Sequence, residues 1–195
     1  MQRRGLQPPA YTMRMTRSPL DPGWRERFGG IDRLYGAGAL QSFAASRIAV
    51  VGMGGVGTWA VEALVRTGIG HLTLIDADDI CVSNSNRQLP AMTGQFGRAK
   101  VEAMAERCRA INPSVDVDAV TAFVTPANQA ELLDRGFDVV LDACDSFRSK
   151  VELIAWCRRR KLPLVVVGAA TDITGPIEFA ALDLYLDQLL EILAL

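Results

Sequence analysis

The chain predicts an α/β fold, a Rossmann-like and mainly parallel sheet with helices on both faces. Three observations carry this. Short, nearly continuous apolar runs alternate with helical patterns, as they do where parallel strands are buried on both faces. The first run, Arg47 to Val51, opens directly into Gly52-Met53-Gly54-Gly55-Val56-Gly57, a G-x-G-x-x-G turn. The second run, His71 to Ile75, ends on Asp76, about 20 residues after the turn, where nucleotide-binding folds of this type place an acid for the ribose hydroxyls.

Each glycine of the turn has a separate task. Gly52 permits the tight bend, Gly54 lets backbone approach a phosphate, and Gly57 lets the next helix lie against the strand. Gly55 belongs to the same cradle. The helix that follows offers free amides and a positive dipole end to an anion. Strand before, helix after and acid at the second strand's end together point to a bound nucleotide.

The remaining elements follow in order. Residues 1–23 hold Pro8-Pro9, Pro19 and Pro22 among scattered arginines. They read as a flexible, basic lead-in with too little apolar surface to fold alone. From Trp24 the text WRERFGGIDRLYGAGALQSFAASR carries Leu34, Leu40 and Phe43 among its helical stretches, so a packed helical segment precedes the first strand. After Asp76 a long connection, ADDICVSNSNRQLPAMTGQFG, separates the second strand from the next helix, and connections of that length in compact domains usually have a function. The helix from Arg98 to Ile111 places Val101, Met104, Ala105, Cys108 and Ile111 on one face and stops at Asn112-Pro113. Met104 therefore reads as core. Val115 to Val124 is expected as a third strand, with Thr125-Pro126 starting a short helix. A fourth strand spans Phe137 to Ala143, a helix runs from Phe147 to about Arg160, and a fifth strand spans Leu162 to Val167. Residues 24–170 thus form one nucleotide-binding domain. In residues 171–195, Leu182, Tyr185, Leu186, Leu189, Leu190 and Leu193 recur at helical spacing between Asp183, Asp187 and Glu191. This divergent stretch is expected to be an amphipathic helix that packs on the domain or on a dimer surface.

Composition narrows the setting. With 195 residues, 49% hydrophobic and 22% charged, and a net charge of −1, the chain has the make-up of one well-buried soluble domain with no whole-molecule attraction to nucleic acid. Its four cysteines, Cys81, Cys108, Cys144 and Cys157, form no C-x-x-C pair, so buried free thiols in a reducing cytoplasm are expected rather than a disulfide framework or a zinc site. No apolar run approaches the length needed to span a bilayer, and no membrane role is expected.

In an open parallel sheet, groups just past the carboxyl ends of strands meet in one crevice. The glycine turn, Asp76 with the Ser83-Asn84-Ser85-Asn86-Arg87-Gln88 loop, and Asp142 to Ser146 all fall there. A nucleoside triphosphate carries more charge than a helix end alone can balance, and it wants side-chain cations and a metal. Arg87 can grip a phosphate bidentately, Lys100 can act as a mobile point charge, Asp145 can hold magnesium, and Asn84 can hydrogen-bond the ligand. Asp78 is a secondary candidate. Taken singly, Arg87 and Lys100 read as surface charges and Asp145 as a cap for the Phe147 helix; their convergence makes them a site. His71, the one histidine, falls at the other end of the sheet and reads as structural. Arg158 to Lys161 close a helix, where cations suit the dipole better than they suggest an RNA patch.

The stretches RIAVVGMGGVG, LTLIDADDICVSNSNRQ, GRAKVEAMAERCRAINP and VVLDACDS resemble the adenylating superfamily that includes ubiquitin-activating-like enzymes and those of molybdopterin and thiamine biosynthesis. Within it, RFGGIDRLYG, the CVSNSNRQ loop, FVTP and RTGIG are most similar to the tRNA threonylcarbamoyladenosine dehydratase family. The resemblance implies an ATP-dependent, ligase-type enzyme that adenylates the threonine carboxylate of threonylcarbamoyladenosine 37 in tRNA. Cyclisation with loss of AMP then follows. It implies that Gly52, Gly54, Gly55 and Gly57 position the phosphates and Asp76 binds ribose. Ser83, Asn84, Arg87, Lys100 and Ser146 would contact the nucleotide, and Asp145 would hold magnesium. It further implies a homodimer in which Arg27 or Arg33 reaches the neighbouring subunit's γ-phosphate, and a sulfur-transfer protein as a further partner. The likeness covers Trp24 to Ala169 and then stops, which implies impaired activity if the family's remaining part is absent. Adenylation of a ubiquitin-like protein or sulfur carrier, a non-catalytic ATP-binding module, and a nicotinamide-dependent oxidoreductase are the competing readings. The last gives Arg87, Lys100 and Asp145 no common purpose.

Overall fold

The computed structural model describes residues 23–167. All but Gly23 of the expected lead-in at residues 1–23, and the expected carboxyl-terminal helix, lie outside them. Three short helices, α1 (Trp24–Phe28), α2 (Gly30–Tyr35) and α3 (Ala39–Ala45), come first. Then follow β1 (Arg47–Val51), α4 (Gly57–Arg66), β2 (His71–Ile75), α5 (Lys100–Ile111), β3 (Asp116–Val120), α6 (Gln129–Leu133), β4 (Val139–Asp142), α7 (Phe147–Arg160) and β5 (Leu164–Val166).

The five strands form one sheet in the order β3-β2-β1-β4-β5, every neighbouring pair parallel. Strand alternation divides the apolar residues between two layers. Ile48 and Val50 of β1 pack with Leu72, Leu74, Val139 and Leu141 under α4 and α5, which contribute Val61, Leu64, Val101, Met104 and Cys108. Ala49 and Val51 face the other way, with Ile75, Val140, Leu133 of α6, and Leu153, Trp156 and Cys157 of α7. Met104 is fully buried, as core. Burying each such aliphatic side chain stabilises the fold by about 1.5–3 kcal/mol, so these two layers fix the sheet.

The helical lead-in forms its own small cluster of Trp24, Phe28, Leu40 and Ala44. It is seated on the amino-terminal end of β2. A Cβ on Gly70 would lie 1.9 Å from the Ala44 carbonyl oxygen, so only glycine lets α3 come this close.

Where expectation and structure differ, the cause is local. β1 and β2 have the expected bounds. β3 is shorter than Val115 to Val124 because β2, its one neighbour, ends at Ile75, the partner of Val120. β4 and β5 are likewise trimmed to their paired residues, while Phe137, Ala143 and Val167 are buried beside the ladder. Thr125-Pro126 does not start a helix. The Asn128 Oδ1 accepts from the Thr125 amide and hydroxyl at 2.7 and 3.0 Å, a side-chain turn that competes with helix and delays α6 to Gln129. Arg98 stays outside α5 and pairs with Glu106 and Gln95 instead. Among the described residues, no helix is long and apolar enough to cross a membrane.

Candidate active site

The order of strands reverses between β1 and β4, and there the carboxyl ends of the sheet open into a cavity of about 510 Å³. Its floor is the glycine turn. Gly52 has φ +96°, and a Cβ there would meet the Ala143–Cys144 peptide at 2.8 Å. The turns after β1 and β4 therefore touch backbone to backbone. Gly57 does not line the cavity; a Cβ on it would sit 1.8 Å from the Gly52 carbonyl oxygen, so it closes the turn on itself. Thr58 adds a bond from its hydroxyl to the Gly54 carbonyl at 2.8 Å. No side chain caps the start of α4, and although the Thr58 amide turns back to the Gly54 carbonyl at 3.2 Å, the positive end of the helix dipole faces the cavity side of the turn.

Asp76 stands at the end of β2 and braces both neighbours. Its carboxylate accepts from the Met53 amide at 2.6 Å and from the Asp78 amide at 2.7 Å. Each oxygen keeps a lone pair for a ribose hydroxyl. The long loop after it is ordered. Ile80 and Arg98 pair through backbone, and Asp79 and Ala99 form an isolated antiparallel bridge. Between them Val82–Asn84 makes a single 3₁₀ turn. The Asn84 Oδ1 accepts from the Cys81 amide at 2.9 Å, which turns the rest of this buried side chain toward the cavity it lines.

Arg87 lies across the glycine turn. A Cβ on Gly55 would meet its Cγ at 3.1 Å, so Gly55 makes room for the arginine stem as well as for a ligand. The Trp59 indole donates to the Arg87 carbonyl at 3.0 Å. The guanidinium donates to the Ser83 carbonyl at 3.2 Å and to Asn86 at 2.8 Å. Lys100, the first residue of α5, is 5% exposed, and its Nζ meets the Asp78 carboxylate at 2.8 Å. Asp78, secondary in the sequence reading, is thus the ion-pair partner of this buried cation. Asp145 and Ser146 line the opposite wall. The Ser146 hydroxyl caps α7 by accepting from the Ser149 amide at 3.3 Å, which leaves the Asp145 carboxylate to the cavity.

The structure therefore gathers Gly52, Gly54, Gly55, Asp76, Asn84, Arg87, Lys100, Asp145 and Ser146 around one space. Ser83 contributes only its carbonyl, and its side chain is exposed away from the lining. Arg27 on α1 and Arg33 on α2 are exposed and do not line this chain's own cavity. Sequence reasoning passed over Gln88, whose buried Oε1 has no hydrogen-bond partner among the described residues and which lines the cavity. Adjacency to Arg87 was the available signal. It also passed over Phe123, a 64% exposed aromatic on the rim. Cys144 lines the cavity too, but burial and the adjacent Asp142 push its thiol up to about 12, so it stays protonated and is no nucleophile at neutral pH.

The donor set fits magnesium of the kind that bridges phosphates. Among the described residues no group of three His, Cys, Asp or Glu could cage a metal, and magnesium commonly takes one or two carboxylates plus substrate oxygens. Asp145, which lines the cavity across from the glycine turn, would supply such a carboxylate.

Comparison with known proteins agrees with this geometry. The chain is 54% identical over 165 residues to tRNA threonylcarbamoyladenosine dehydratase of Escherichia coli, covering 85% of this chain and 62% of that protein. It is 38% identical to the protein of the same name from Bacillus subtilis, covering 81% and 62%. The crystal structure of the E. coli enzyme in complex with ATP superposes with a TM-score of 0.78 at 55% identity, over 82% of this chain and 65% of that one. The chain thus spans under two thirds of the length of these relatives. A model of the ThiF family matches residues 31–177, and with its glycine turn, acid-ended second strand and convergent cations the chain belongs to the ThiF family.

Proposed function

We propose that the chain binds ATP with magnesium and adenylates the threonine carboxylate of threonylcarbamoyladenosine in tRNA, as the adenylating half of a dehydratase. One observation carries the reading: a buried lysine and a braced arginine converge with a free carboxylate on the glycine turn, an arrangement suited to a triphosphate. The dehydratase name of the relatives and the ATP held by the E. coli structure support the substrate.

The residues divide the work. The glycine turn and the open start of α4 receive phosphate oxygens through backbone amides. Asp76 orients the ribose. Arg87 and Lys100 neutralise charge that grows at the α-phosphate as the carboxylate attacks and pyrophosphate leaves, and Lys100 exchanges Asp78 for phosphate as it does so. Asp145 would hold magnesium, which when bound shields the phosphate charge. No protein nucleophile is needed, in keeping with the protonated thiol of Cys144. The acyl adenylate is then closed by the substrate's own carbamoyl nitrogen, with release of AMP. Because neither Arg27 nor Arg33 lines this chain's own cavity, we assign one of them to the site of a second copy in a homodimer. Free thiols at all four cysteines suit a cytoplasmic setting.

ATP–pyrophosphate exchange tests the reading. With magnesium and tRNA carrying threonylcarbamoyladenosine, exchange should appear, depend on the modified tRNA and vanish in Arg87→Ala, with cyclised nucleoside as product. Exchange driven by a sulfur-carrier protein and not by tRNA would transfer the assignment to the alternative adenylation. ATP binding without exchange on either would leave a non-catalytic module.

A further inference from the structure

The turn that carries Asp145 is fastened from behind by two charged side chains that do not reach the ligand space. Asp142, the last residue of β4, is fully buried. One carboxylate oxygen accepts from the Cys144 amide at 3.1 Å and from its thiol at 2.8 Å. The Lys150 Nζ lies 3.2 Å from the other, off the line of a good hydrogen bond, so that oxygen is left without a hydrogen-bond partner. Lys150 sits in the first turn of α7, with its side chain 13% exposed. Its Nζ donates to the Val167 carbonyl at 2.8 Å, just past β5, and approaches the Asp142 carbonyl at 3.5 Å. One cation thus joins the ends of β4 and β5 to the start of α7.

A buried ion pair is a poor source of stability. Well-packed apolar residues of similar volume often do as well or better, because both charges must be desolvated. The pair's geometry points to positioning instead. Asp142 holds the Cys144 amide, and the Ala143–Cys144 peptide is the backbone that a Cβ on Gly52 would strike. The position of that peptide sets how the Asp145 carboxylate stands relative to the phosphate cradle.

We propose that Lys150 and Asp142 form a buried clamp that registers the Asp145 turn against the glycine turn, making both of them positioning residues for the polyphosphate end of the site. The inference rests on the ATP-binding reading. It is tested by calorimetric titration of the purified full chain with ATP and with AMP, each with magnesium, alongside thermal unfolding. The variants are Lys150→Arg and the apolar double variant Asp142→Leu with Lys150→Met. The double variant should unfold cooperatively near the wild-type midpoint, bind ATP about 10-fold more weakly and bind AMP within about 3-fold of wild type; shifted phosphates in a preorganised site commonly cost this much. Lys150→Arg, which still brings a cation to both strand ends, should bind ATP within about 3-fold of wild type. Wild-type ATP affinity in the double variant overturns the clamp, as does an equal loss of ATP and AMP. A double variant that fails to fold overturns it as well, since the pair would then hold the fold rather than the turn. Absence of ATP binding by the unaltered chain would overturn the functional reading itself.

Discussion

The two ends of the sheet use the same residue types in opposite ways. At the amino-terminal end, His71 meets Asp116 at 3.2 Å and Arg135 meets Asp118 at 2.9 Å, with the acidic partners 75% and 49% exposed. These are closed pairs on a wet surface, and pairs of that kind contribute little. At the carboxyl end, Lys100 and Lys150 are almost entirely enclosed, and their acidic partners stand at strand ends or in the loops of the cavity. Enclosed charge is costly unless something uses it. The difference separates a surface that merely balances charge from an end of the sheet where Lys100 lines the cavity and Lys150 ties strand ends behind it.

The comparison breaks hardest at Gly57. A Cβ there would lie 1.8 Å from the Gly52 carbonyl, so Gly57→Ala must displace the turn. Titration with ATP should show at least a ~100-fold loss of affinity, with a loss of stability of about 1–3 kcal/mol or more from overpacking. Retained affinity would mean the turn is not the phosphate cradle. Next comes Lys100→Met, which removes the buried cation but keeps its stem. Pyrophosphate exchange should fall by about 100-fold, on the order of removing one preorganised charged donor. Thermal unfolding should change little, because an apolar stem suits its surroundings.

A smaller effect sharpens the contrast from the helical layer. Glu62 of α4 bridges Arg66 and Arg107, with Arg107 Nε at 2.6 Å. Burial alone would raise its pKa, but the hydrogen bonds from Arg107 and Arg66 outweigh it and hold the carboxyl below the usual 4.5. A folded pKa below the unfolded one gives stability that is present above pH ~4.5 and is lost as pH falls through the lower folded value. Glu62→Gln should therefore be less stable than wild type at pH 7, by roughly 1–2 kcal/mol, with the gap closing under acid. Chemical denaturation at pH 7 and pH 3 reads both. Smallest of all is His71→Ala at the amino-terminal end. It should leave ATP affinity within 2-fold and stability within about 0.5 kcal/mol, and a larger loss of ATP binding would mean the two ends are not independent.

The fold was legible in the sequence where burial is continuous. β1 and β2 match their apolar runs end to end because both faces of each strand are covered. β3 was overread because Val124 and its neighbours are apolar without a strand to pair with; apolar text reports burial, whereas the ladder ends with the neighbouring strand. In the candidate site, convergence was legible: Arg87, Lys100 and Asp145 each have a bland use alone, but the carboxyl ends of the strands bring them to one cavity with Gly52, Gly54, Gly55, Asp76 and Asn84. Of the pair Asp142 and Asp145, sequence spacing selects the acid that meets solvent, and only strand register shows the other to be buried and fastened to Lys150. Gln88 and Phe123 gave no signal beyond proximity to a motif, since an amide or an aromatic at a loop edge has many bland uses. Arg27 and Arg33 are legible as cations but not as members of this cavity, which neither of them lines.

The pinched loop between β2 and α5 has a consequence in time. Its neck is three backbone bonds, donated by the Lys100, Gly97 and Ile80 amides to the Asp78, Ile80 and Arg98 carbonyls, with the Asn84 turn held within. Local turn bonds and the Trp59 and Thr58 contacts hold the segment inside that waist, so it is expected to move as a unit when the neck parts. Arg87 and Asn84 ride on that segment and Lys100 stands at its hinge. Under the proposed function, a nucleotide gripped by Arg87 and Asn84 would leave no faster than that neck opens.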